Sequence, residues 1–216
     1  MTVLITGANR GIGKALLDGY ASEGETAFGT HRHPDADPLH ELHVTDPASH
    51  AQLARKLDGQ AIDLLVCNAG VYTDKHESLE TGFPAEMWAT GFATNVTSVF
   101  LTIQHLLPHL HRAKNAKIAI ISSRMASPTR APGGSYIYRA SKAAVLNLGR
   151  NLASDLKPEG ISVGIYHPGW VQTDMGGSAA AITVEQSKTG LMERFSQLSL
   201  ATTGCFEAWD GQPHPY

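Results

Sequence analysis

Cysteine is scarce in this chain of 216 residues: Cys67 and Cys205 are the whole supply, too few for a disulfide framework. A reducing, cytoplasmic setting is therefore expected. No apolar run reaches the length of a membrane span, and no charged leader precedes the apolar residues 3–5, so neither a span nor a signal peptide is expected. Basic runs are absent and the net charge is -3, which leaves no electrostatic case for nucleic acid or a membrane surface. An anionic ligand would have to be held locally. Composition does not shift along the chain, and residues 1–216 read as a single domain. His31, His33, His40, His43 and His50 follow no compact ligand spacing and have no cysteine beside them. No metal site is expected, and most of them read as surface histidines.

What is present centres on residues 133–156. After Gly133 and Gly134, Ala140, Ala143, Ala144, Val145, Leu148 and Leu152 recur at helical intervals. Tyr138 and Lys142, one turn apart, present a phenol and an ammonium to the same small ligand. A phenol with a pKa near 10 is a poor acid or base at neutral pH, and a neighbouring cation favours its anion. Bringing it to about 7 or 8 needs roughly 3 to 4 kcal/mol, and Lys142 is the cation at hand. Tyr136 competes, but four residues on from it stands Ala140. Y-x-x-x-K arises on many solvated helix faces, so Tyr138 needs a second motif.

The first residues supply one. Val3, Leu4 and Ile5 suit a buried parallel strand, Gly7, Gly11 and Gly13 follow at once, and an amphipathic helix comes next. Glycines between strand and helix let a pyrophosphate approach the helix N-terminus, where free N–H groups favour anions. The spacing differs from G-x-G-x-x-G. Strands and helices then alternate: strands at residues 26–32, 62–66, 117–121, 161–166 and 205–208, and helices at 47–57 with Asp46 as cap, 86–110 and 184–198. This is an α/β pattern for a Rossmann-like, doubly wound, mostly parallel sheet with helices on both faces. Between the second and third strands, prolines and few residues leave no room for a helix, so the connection is shortened.

T-G-x-x-x-G-x-G from Thr6 and Y-x-x-x-K from Tyr138, with Asn68-Ala69-Gly70, Asn95 and Pro168-Gly169 in order, resemble the short-chain dehydrogenase/reductase family. The likeness spans residues 3 to about 209, and SSRMAS, YRASKAA and HPGWVQTDM look most like its C-factor-like and sniffer-like carbonyl reductase subgroup. The resemblance implies a hydride transfer between NADP(H) and a carbonyl or secondary alcohol. It implies catalytic roles for Asn95, Ser123, Tyr138 and Lys142, with Ser122 as the alternative to Ser123. Asn95 would hold a water that links the lysine to solvent. The implied cofactor contacts are Gly7, Asn9, Arg10, Gly11, Ile12 and Gly13, then Arg32, His43 and Val44, then Asn68, Ala69 and Gly70, with Tyr138, Lys142, Pro168, Gly169, Val171 and Thr173.

Arg10 and Arg32 favour NADP(H) over NAD(H), against which Asp35 and Asp37 weigh. His43 replaces the aspartate of the family's D-V-x-D pattern. The short stretch at residues 174–183 implies an open, unselective pocket, and residues 212–216 a loose tail. A homodimer or homotetramer is expected through the helices carrying Asn95 and Tyr138. The rival reading is a nucleotide-binding signalling or regulatory protein of the same fold with little turnover.

Overall fold

A computed structural model describes residues 1–33, 39–80, 82–129 and 131–216. Strands β1 (Thr2–Ile5), β2 (Thr26–His31), β3 (Leu39–Glu41), β4 (Leu64–Cys67), β5 (Lys117–Ile121), β6 (Ser162–His167) and β7 (Phe206–Ala208) form one sheet in the order β3-β2-β1-β4-β5-β6-β7. Every neighbouring pair is parallel. The central strands are almost wholly apolar and buried because helices cover both faces. On one face lie α1 (Gly11–Ser22) and α6 (Val184–Gln197), whose Leu16, Leu17, Leu191 and Phe195 pack with Val3, Ile5, Val66 and Tyr166. On the other lie α2 (Pro47–Lys56), α4 (Ser98–Leu110) and α5 (Tyr136–Leu156), with Leu53, Leu106 and Val145 against Leu4, Leu65, Ile120 and Ile165. The strand order turns back between β1 and β4, the switch point outside whose carboxyl ends sheets of this kind take their ligands.

The shortened crossover has a geometric reason. β3 pairs only with the end of β2, from Gly29↔Leu39 to His31↔Glu41, so the chain need retreat only about 7 Å, two residues of strand rise. Asp35 and Asp37, the acidic counterweights in the cofactor argument, lie outside the described residues.

Three expectations are corrected. The single helix over 86–110 is two, α3 (Ala85–Phe92) and α4, joined through a π-helical turn at Ala93–Thr97 that contains Asn95. The last residues are tied down: Gln212 O accepts from Ala208 N at 2.8 Å, His214 N donates to Phe206 O at 2.8 Å, and the Arg150 guanidinium lies 3.6 Å from the centre of the Tyr216 ring. Among the five histidines, His40 and His50 are buried; His50 Nε2 bonds the Val44 carbonyl at 2.9 Å and its ring stacks on His105. The cap of α2 is as read, with Asp46 Oδ1 accepting from Ala48 N at 2.9 Å. Among the described residues no helix is long and apolar enough to cross a membrane.

Candidate active site

The loop between β1 and α1 needs its glycines for two different reasons. Gly7 and Gly11 stand at φ 68° and 55°, in the left-handed region. Gly13 is needed for space: a Cβ there would lie 2.3 Å from the Gly7 carbonyl oxygen and 2.5 Å from Asn68 Nδ2. Asn68 sews the edge together, its Nδ2 donating to Thr6 O at 2.9 Å and Gly7 O at 3.1 Å. In return Thr6 Oγ1 accepts from Asn68 N and Ala69 N. Arg10, at the cap of α1, gives the helix no side-chain bond, which leaves the first-turn N–H groups, including those of Ile12 and Gly13, without a capping acceptor. That donor set fits a pyrophosphate.

The two arginines diverge. Arg10 is exposed beside Asn9 and reaches Asp174, Nη1 to Oδ2 at 2.7 Å. Arg32 is exposed just past β2. His43, partly exposed, donates its backbone N–H to Ser49 Oγ at 2.9 Å and pairs Nε2 with Glu41 at 3.2 Å, while Val44 packs against the core.

On α5 the competition between the tyrosines resolves. Tyr136 is 37% exposed and packs edge-on to Phe83; Tyr138 is 9% exposed and faces inward. The Ser123 side chain acts on the Tyr138 phenol in the direction that favours its anion, and its Oγ accepts from Met125 N at 3.1 Å, while the Ser122 hydroxyl turns away to the Lys142 carbonyl at 3.0 Å. Ser123 is thus the serine at the phenol. Lys142 is 5% exposed; its Nζ lies 5.7 Å from the centre of the Tyr138 ring and donates to Ile121 O at 2.9 Å.

The expected tuning of the phenol is reversed. Burial pushes Tyr138 up to about 12, Ser123 opposes and Tyr72 adds to the rise. Burial also brings Lys142 down to about 8. Desolvation penalises a phenolate and an ammonium alike, and at 5.7 Å from the ring the lysine does not reverse it.

Asn95 Oδ1 accepts from Val71 N at 2.8 Å, and Nδ2 donates to Val71 O and Ser141 Oγ, each at 2.9 Å. Both amide protons are thus used, and one acceptor position of Oδ1 is left for the implied water. The oxygen lies near Gly70, where a Cβ would come within 3.2 Å of it and 3.6 Å of Lys142 Nζ. The π-turn around Asn95 departs from regular backbone hydrogen bonding beside this cluster.

After β6, Pro168 O accepts from Ser187 Oγ at 2.7 Å, and Gly169 stands at φ 93° under Ile182. Val171 pairs with Ile182, and Thr173 sits against Gly11. The following segment is held at three points: besides Arg10 to Asp174, Lys75 Nζ donates to Met175 O at 3.1 Å and Trp170 Nε1 to Gly176 O at 2.9 Å.

Two residues escaped sequence reasoning. The Tyr72 ring stacks on Tyr138 at 4.1 Å, and the buried Asp74 carboxylate accepts from Ile137 N and Tyr138 N. Both lie in a turn without periodicity, more than sixty residues from their partners. No local pattern could have marked them.

Residues 1–182 match the family model described as short chain dehydrogenase. The C-signal protein of Myxococcus xanthus is 35% identical over 156 residues, covering 72% of this chain and 93% of that protein. The NADPH-bound carbonyl reductase from chicken fatty liver superposes with a TM-score of 0.90 at 30% identity, over 100% of this chain and 98% of that one. The carbonyl reductase Sniffer of D. melanogaster superposes with a TM-score of 0.92 at 28% identity, over 100% and 99%.

Proposed function

This chain belongs to the short-chain dehydrogenase family, whose oxidoreductases act on CH-OH and C=O groups, and we propose that it reduces the carbonyl of a small organic substrate with NADPH. The observation that carries the reading is the meeting of Ser123 and Tyr138 side chains at the carboxyl edge of the sheet, with Lys142 one turn on. NADPH, when bound, supplies the hydride. The residues of the chain supply the rest. The uncapped start of α1 and its glycine loop hold the pyrophosphate, and Arg32 at the end of β2 meets the 2'-phosphate. Ser123 donates to the carbonyl oxygen, and Tyr138 passes its proton to that oxygen as charge develops there. Burial raises Tyr138 and so favours the protonated phenol, the form that can donate. Lys142, anchored on Ile121 O, lends its positive charge to the developing phenolate and its N–H groups to the nicotinamide ribose.

NADPH titration followed by assays on a panel of aldehydes and ketones tests this, with wild type beside Tyr138→Phe. The variant should bind NADPH as wild type does and lose about a hundredfold or more in turnover, the usual worth of a positioned acid. Binding without Tyr138-dependent turnover would instead favour the nucleotide-binding regulator.

A further inference from the structure

Helix α5 begins without a cap of its own. Ser135 occupies the cap position at φ 50°, makes no side-chain bond to the helix, and gives its hydroxyl to Tyr72 instead. Buried N–H groups in a first turn need acceptors from somewhere. Two of them find one across the fold: Asp74 Oδ2 accepts from Ile137 N at 2.7 Å and Oδ1 from Tyr138 N at 3.2 Å. Asp74 is 1% exposed, a costly place for a carboxylate unless its oxygens are bonded and a positive field surrounds it. Both conditions hold here, since the positive end of the helix dipole points at it.

The neighbours of Asp74 grip the same turn. The Tyr72 ring lies on the Tyr138 ring at 4.1 Å and 20°, and the Val71 backbone exchanges two hydrogen bonds with the Asn95 side-chain amide, which also donates to Ser141 Oγ. The turn following Asn68-Ala69-Gly70 thus holds the beginning of α5 from outside. Tyr138, in the first turn of the helix, depends on that hold. Lys142 is fastened separately to Ile121 O.

We propose that Asp74 is a positioning residue for Tyr138, fixing through the two N–H bonds where the phenol oxygen stands relative to Ser123 and to the substrate carbonyl. The proposal rests on Tyr138 as the proton donor. Its consequence is selective. The glycine loop, Asn68 and Arg32 sit on other elements, so loosening the start of α5 disturbs proton delivery while cofactor binding stays intact. A displacement of about 1 Å at a reacting group is enough for roughly a hundredfold loss of rate.

The test compares wild type, Asp74→Asn and Tyr138→Phe, with 4-nitrobenzaldehyde as the first carbonyl probe and NADPH binding followed by fluorescence. The Asn side chain keeps the shape of Asp but sets an N–H donor against a backbone N–H. Asp74→Asn should lose about a hundredfold in kcat while the NADPH Kd and the aldehyde KM move by less than about threefold. A purely structural cap would lower the melting temperature and leave kcat per folded molecule unchanged, and that result overturns the proposal. So does a parallel loss of NADPH binding. If Asp74→Asn does not accumulate in folded form, Asp74→Ser, whose hydroxyl accepts one N–H, is read by the same criteria. An inactive Tyr138→Phe beside a fully active Asp74 variant sinks this proposal alone. Full activity in Tyr138→Phe sinks the proton-donor reading with it.

Discussion

Lys142 and Tyr138 stand one helical turn apart, as their spacing implies, yet burial moves the phenol opposite to the direction that a neighbouring cation favours. Spacing along a helix says which groups are neighbours and nothing about how dry their surroundings are. Burial raises the phenol to about 12, and the nearest bond of the ammonium is to a backbone carbonyl. Arg10 and Arg32 teach a similar point. Both are exposed, Arg10 in the glycine loop, where it pairs with Asp174 across a solvent-facing contact, and Arg32 just past β2, the position proposed above for the 2'-phosphate contact. Arg32→Ala should therefore raise the Kd for NADPH by about tenfold, the order of one charge-assisted contact, and leave the Kd for NADH unchanged. Parallel titrations with the two nucleotides measure it. Equal weakening of both would remove Arg32 from the 2'-phosphate.

At the scale of elements, legibility followed regularity. β1, β4, β5 and β6 were readable because strands buried on both faces are continuous apolar runs, and the start of α2 because Asp46 is a cap residue that does cap. The π-turn at Ala93–Thr97 was not, since its backbone shift falls inside an otherwise helical pattern and leaves no gap in it. Residues 212–216 look loose because they lack periodicity, whereas their anchors are backbone bonds to β7, the Arg150–Tyr216 contact, and a bond from Tyr216 Oη to Gly204 O at 3.3 Å. Those anchors carry a prediction. Removing residues 212–216 deletes the two backbone hydrogen bonds, the Tyr216 hydroxyl bond and the cation–π contact, together about 2 to 4 kcal/mol, read as a lower urea midpoint. An unchanged midpoint would show that the tail contributes nothing to stability.

For the molecule as a whole, the buried histidines set an acid limit. His167, at the end of β6, is 8% exposed, and its Nδ1 has no hydrogen-bond partner among the described residues. Burial lowers it to about 3, with the nearby His214 and Arg124 adding to the effect. His50 is lowered too, chiefly by burial, against which its bond to the Val44 carbonyl works. In the unfolded chain each would titrate near 6.5. Below that pH the unfolded chain takes up protons that the native protein refuses. The stability these groups contribute is therefore whole above about pH 6.5 and drains as pH falls, for His167 down to about 3. A fully excluded proton is worth up to about 1.4 kcal/mol per pH unit. Urea midpoints should accordingly fall steadily below about pH 6.5. His167→Asn, which cannot titrate, should make the acid slope shallower by up to that 1.4 kcal/mol per unit, even if its own stability at neutral pH is lower. A variant with the wild-type slope would mean that His167 is protonated in the native state, and that its packing beside Pro168 and Gly169 tolerates the charge.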